Sequence, residues 1–158
     1  MDDAVVNDDL RPLEWLIGTW EGDATGQPGR GTQVRRYEPV LRGEFLMGTN
    51  RTTWSSTAAH PEGETHEDLS IISYDRAAKR LVMHVFYVER FVATYMCEQI
   101  EADVWRFTAD RVQNGPSGMR SRETLMRRGD ELVSRFELAA AGKDFALYTT
   151  ETLHKRAT

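Results

Sequence analysis

Leu13-Glu14-Trp15-Leu16-Ile17-Gly18-Thr19-Trp20-Glu21-Gly22 decides how the rest of the chain is read. A short apolar stretch ends at Ile17. Gly18, a spacer and Trp20 then open the first of many short strands. A small residue, a spacer and an indole at the start of a first strand fit a barrel closed at one end. The ring plugs the floor, and the glycine lets another segment cross close by. A container implies that the job is to hold something.

Upstream of this stretch, residues 2–9 are acidic, and residues 1–12 read as a flexible N-terminal segment. Asp9 is placed to cap a short helical turn from Arg11 to Leu16. Pro12 is tolerated in a first turn because its missing N–H has no partner there anyway. Residues 13–158 read as one domain.

Downstream, turn residues cut the chain into about ten strands. These run Thr19–Ala24, Thr32–Leu41, Glu44–Trp54, His66–Tyr74, Arg80–Val88, Phe91–Ile100, Val104–Val112, Met119–Arg127, Glu131–Leu138 and Phe145–Lys155. Successive hairpins without a long helix predict an all-β, antiparallel up-and-down barrel, since closure removes the exposed edges of a meander. A barrel of this size encloses one small ligand. A two-sheet sandwich is the rival architecture. Several strands mix polar and apolar residues on both faces, which fits either a lumen lined by polar groups or solvated edges.

Composition bounds the function. The chain has 158 residues, 40% hydrophobic and 28% charged, with a formal net charge of −5. Its longest basic clusters are pairs, such as Arg35-Arg36 and Arg127-Arg128, which argues against a nucleic-acid or anionic-membrane binder. Cys97 is the single cysteine, so an intrachain disulfide and a thiolate-rich zinc site are excluded. No basic start of a secretory signal and no span of roughly 20 apolar residues is present, so a cytoplasmic location is expected. Gly26–Gly31 lacks the following helix that a phosphate cradle needs. No nucleophilic constellation surrounds Cys97, which reads as a structural thiol.

The opening residues resemble those of the calycin-like, lipocalin-like barrels. They are similar to the nitrobindin-like heme-binding β-barrels, whose pattern is GxWxGxG: Gly18, Trp20 and Gly22 match, and Ala24 stands where the last glycine belongs. Val40-Leu41-Arg42-Gly43-Glu44-Phe45-Leu46, Ile72-Ser73-Tyr74-Asp75-Arg76, Arg122-Glu123-Thr124 and Phe136-Glu137-Leu138 resemble a related group of uncharacterised small lipocalin-like proteins. The resemblance implies a ten-stranded barrel with a central cavity. In nitrobindins a histidine near the C-terminus binds the iron, which singles out His154 here as the alternative heme b ligand. A solvated strand-end histidine is the competing reading.

Residue types suggest the rest of a lumen. His84 sits in Leu81-Val82-Met83-His84-Val85-Phe86, as a ligand contact, a general base or a core histidine. His66 and Asp68 share one side of their strand and Glu67 the other, a poor metal site by itself. Charged groups that face inward must pair. Arg51, on a face with Phe45 and Met47, and Glu123, on a face with Ser121 and Leu125, are the expected inward members. Trp20, Phe86, Tyr95 and Tyr148 supply aromatic surface and phenolic handles, although core packing also explains aromatic residues.

Three functions follow. The first is a cofactor-free binding protein for a small hydrophobic or amphipathic molecule, with Trp20, Arg51, His84, Phe86, Tyr95, Glu123 and Tyr148 in the lumen. The second is a heme barrel with nitric oxide and peroxynitrite chemistry through His154. The third is a cofactorless isomerase, cyclase or hydratase acting inside the barrel. A homodimer is carried as an open partnership.

Overall fold

The computed structural model describes residues 5–157. A 3-10 helix, Asp8–Leu16, precedes eleven strands: β1 (Gly18–Gly26), β2 (Gly29–Val40), β3 (Phe45–Trp54), β4 (Glu64–Asp75), β5 (Arg80–Tyr87), β6 (Val92–Glu101), β7 (Val104–Ala109), β8 (Val112–Gln113), β9 (Arg120–Arg128), β10 (Glu131–Ala139) and β11 (Ala146–Lys155). Every pairing is antiparallel. β5 to β1 pair in reverse order, β1 pairs β11, and β11, β10, β9, β7 and β6 continue round to β5. Ten strands therefore close a barrel, and the two-residue β8 adds to β6. The strand expected over Val104–Val112 breaks at Asp110-Arg111, so its end leaves β9 and pairs with Val92 and Ala93 instead.

The N-terminal segment is better anchored than its composition predicts. Residues 1–4 of the expected flexible stretch lie outside the described residues. From Val6 onward its apolar residues are packed into the core: Val6, Leu10, Leu13 and Leu16 are all buried. The helix begins at Asn7 rather than Asp9, because the Asn7 side chain accepts the Leu10 N–H at 3.1 Å. Its leucines at i, i+3 and i+6 cover one end of the barrel, each worth about 2 kcal/mol of burial.

Below that helix the barrel is solid. Trp20, Tyr37, Leu46, Ile72, Met83, Phe107, Leu125, Leu132 and Leu153 interdigitate there. Trp20 donates its indole N–H to the Leu16 carbonyl at 2.8 Å and meets Trp15 edge-on at 5.9 Å. This is the stopper that the opening residues predict. It does not reach the cavity at the other end, so the expectation of Trp20 as a ligand contact is corrected.

Gly22 marks where the wall is tightest. A Cβ there would run into the Thr152 carbonyl and the Leu153 backbone of β11 across the seam that closes the barrel. Backbone cannot rotate away as a side-chain tip can. Gly22→Ala is expected to cost about 1–3 kcal/mol, the range for overpacking. Chemical denaturation measures it, and an unchanged midpoint would show that the seam yields.

Candidate functional site

Inward positions continue from the solid half into the open half, but their chemistry changes from apolar to polar. On β2, Tyr37 is followed inward by Arg35 and Gln33. On β4, Ile72 leads to Ser70, Asp68 and His66; on β9, Leu125 leads to Glu123 and Ser121; on β11, Leu153 leads to Glu151 and Thr149. These side chains enclose a cavity of about 330 Å³, with Phe91, Phe136, Tyr87, Tyr95 and Tyr148 in its wall. It opens at the end opposite the helix, at the low end of the size range of small-molecule sites.

Arg35 is the centre of the floor. Its side chain is only 6% exposed. It donates to Glu123 Oε1 at 3.3 Å and to Gln33 Oε1 at 3.0 Å, and Gln33 donates in turn to Thr52 at 2.8 Å. Burial opposes the Arg35 charge, but Tyr37, Glu123, Glu151 and Asp68 around it raise its pKa overall. Burial pushes Glu123 up to about 7, against the pull of Arg35 and with the push of Asp68 and Glu151. Glu151 is also pushed up, chiefly by burial. Its Oε2 is buried without a hydrogen-bond partner, as is Oγ of Ser134, its cross-strand neighbour.

At the mouth, His66 is held between two acids. Its Nδ1–H donates to Glu89 at 2.6 Å, and Nε2–H faces Asp68 at 3.3 Å. Burial works to lower its pKa, but hydrogen bonds and charge from Asp68 and Glu89 lift it to about 9. His66 is therefore an imidazolium at neutral pH. Asn50 donates to the same Asp68 oxygen at 3.0 Å. Tyr87, Tyr95 and Ser121 form a hydroxyl chain with steps of 2.6 and 2.7 Å, and burial pushes Tyr95 up to about 12.

Tyr95, Glu123 and Tyr148 line this cavity together. Tyr148 gets there by a bulge: Phe136 pairs with Thr149 and Glu137 with Leu147, which leaves Tyr148 as the extra residue. It meets Phe136 edge-on at 6.3 Å. The other expected contacts lie outside. Arg51 is outward and pairs with Glu67 at 3.6 Å, because its register partner Val34 is also outward. His84 is exposed and meets Thr94 on the outer wall, and Phe86, 49% exposed, follows the same face. Met83, Val85 and Tyr87 take the inward positions of β5 instead. His154 is outward too, 3.7 Å from Glu131. Cys97 is buried in the solid half with its thiol pushed up to about 12 by burial.

Arg35, Gln33 and Ser134 were not singled out by residue type, and Asp68 was weighed only with His66 as a metal site. The signal that finds them is parity: stepping by two from each apolar residue of the closed end reaches every one. Among the described residues, no group of three or more His, Cys, Asp or Glu is arranged to hold a metal ion. No helix among them is long and apolar enough to cross a membrane.

Comparison with known proteins agrees with this architecture. A 67-residue stretch is 36% identical to a "Ferric nitrobindin-like protein" of Kineococcus radiotolerans (strain ATCC BAA-149 / DSM 14245 / SRS30216), covering 39% of this chain and 36% of that protein. The match thus spans about a third of the relative's length. The crystal structure of Rv2717c from M. tuberculosis aligns with a TM-score of 0.70 over 97% of this chain and 100% of that one, at 16% identity, which shows a shared fold. The model of the "THAP4-like, heme-binding beta-barrel domain" matches residues 9–155. With nearly its whole length matched, the chain belongs to the family of THAP4-like, heme-binding beta-barrel domains.

Proposed function

We propose that the protein binds a small amphipathic molecule in the open half of its barrel. The observation that carries this reading is the contrast along the barrel axis. One half is packed solid, while the other keeps a cavity of about 330 Å³ whose wall holds buried charge. Buried ion pairs rarely add net stability compared with an apolar filling. A polar lumen is what recognition of a polar ligand group requires. Ligand-observed NMR with a fragment mixture tests this, with Ser134→Phe as a variant that fills the cavity. Fragments that bind the parent and lose binding at least tenfold in the folded variant are expected. Fragment binding indifferent to the filling would overturn the reading.

Family membership makes heme the second reading. Iron ligation by histidine needs a neutral imidazole with a free nitrogen. His66 is the one histidine in the cavity wall, and both of its nitrogens are engaged by carboxylates. His84 and His154 face outward, and His60 pairs with Glu64 at 3.4 Å outside the cavity lining. The residues present do not fit a heme held by a histidine within this cavity. Hemin titration followed by absorbance is expected to give no stoichiometric histidine-ligated Soret band. A one-to-one band lost in His66→Ala or His154→Ala would overturn this.

A further inference from the structure

We propose that the occupant of the lumen is a protonated organic amine, its ammonium group directed at the carboxylates of Glu151, Glu123 and Asp68 and its apolar body against the aromatic wall. This rests on the lumen-binding reading above and names the ligand class for it.

The balance of acidic over basic groups in the wall carries the argument. The cavity wall holds five carboxylates, Glu64, Asp68, Glu89, Glu123 and Glu151, against two cations, Arg35 and His66. Both cations are already committed. Arg35 bonds Glu123, and His66 is shared by Asp68 and Glu89. Glu64 pairs with His60. Glu151 forms no ion pair among the described residues: it is 4% exposed, lines the cavity, its Oε2 meets no hydrogen-bond donor, and only the field of Arg35 and the nearby Thr149 and Ser134 hydroxyls offset its charge. A buried carboxylate in that position either takes up a proton or waits for a cation.

Unpaired hydrogen-bonding capacity points the same way. The other buried unpartnered atoms in this wall are Asn50 Oδ1, an acceptor, and the Ser134 hydroxyl. One Asn50 amide N–H goes to Asp68 and one Gln33 amide N–H to Thr52. A ligand rich in N–H donors meets this wall, whereas an anion approaching Arg35 meets the fields of Glu123, Glu151 and Asp68 as well. The rings of Phe91, Phe136, Tyr87 and Tyr148 in the wall add favourable surroundings for a cation with an apolar body.

Three compounds of one shape test the proposal: 2-phenylethylamine, 2-phenylethanol and 3-phenylpropanoate, titrated calorimetrically into the parent protein at pH 7.5. The amine is expected to bind at least tenfold more tightly than the alcohol, and the carboxylate more weakly than both. Glu151→Gln, which keeps the shape and removes the charge, is expected to bring the amine's affinity down to that of the alcohol measured in the same variant. Shifts of the Tyr95 and Phe136 NMR signals locate binding independently of any variant. Equal affinity of amine and alcohol, or tightest binding of the carboxylate, with those signals shifting, would overturn the amine and leave the lumen-binding reading intact. Compounds that bind without moving those signals, and equally well in Ser134→Phe, would overturn both.

Discussion

Raising the pH from 5 to 9 is expected to destabilise the unliganded protein steadily, by about 4 kcal/mol in total. Glu123 and His66 act in successive windows. Between pH 4.5 and about 7, Glu123 ionises in the unfolded chain while the folded chain retains its proton, so folding is penalised as the pH rises. That window alone corresponds to about 3 kcal/mol. His66 gains its partners on folding, so its contribution is complete below pH 6.5 and is lost as the pH rises through about 9. Its side chain is 29% exposed, and solvent screening reduces the effect to about 1 kcal/mol. Glu151, also raised, adds to the loss above its ordinary range. Guanidinium unfolding at pH 5, 7 and 9 measures the slope. Glu123→Gln is expected to flatten its acid half and His66→Gln its alkaline half. A profile that is flat, or that rises to a maximum near pH 8, would refute the assignment of these shifts.

Arg35→Met is expected to be the most damaging single change in the lumen, at about 3–5 kcal/mol at pH 8, because it strands buried carboxylates. Glu123 loses its ion-pair partner at 3.3 Å, Gln33 loses a donor, and Glu151 loses the nearest compensating field. Methionine keeps most of the volume, so the loss measures charge rather than packing. The penalty shrinks at pH 5, where Glu123 carries its proton. Adding Glu123→Gln to Arg35→Met is expected to recover more than half of it, and the double-mutant cycle reports the coupling directly. A penalty independent of pH and unrelieved in the double variant would mean that Arg35 acts through shape alone.

The barrel was legible because its punctuation is local. Gly129-Asp130, Glu89-Arg90 and the 101–103 turn each force a reversal, and strand boundaries fall within a few residues of the predicted ones. The side of each strand was harder to read. A polar lumen removes the usual contrast between faces, so β2 offers Gln33, Arg35 and Tyr37 against Val34, Arg36 and Glu38, and composition alone does not choose. In β5 both faces are apolar, and His84 and Phe86 looked inward for that reason while Met83 and Val85 hold the core. Tyr148 is a different case: simple alternation puts it opposite Thr149, and only the shift in pairing between Phe136 and Glu137 brings both to the cavity. Non-local register therefore carried the information that residue type lacked.

The filling of the barrel at one end has a consequence for how such a chain can change. Leucines and a tryptophan under the helix keep the wall shut whatever lines the far rim. Substitutions at the entrance leave this apolar packing untouched. Under the proposed binding role, the packing that sets the shape and the residues that face a guest are separate sets, as a potter's mould is separate from the glaze.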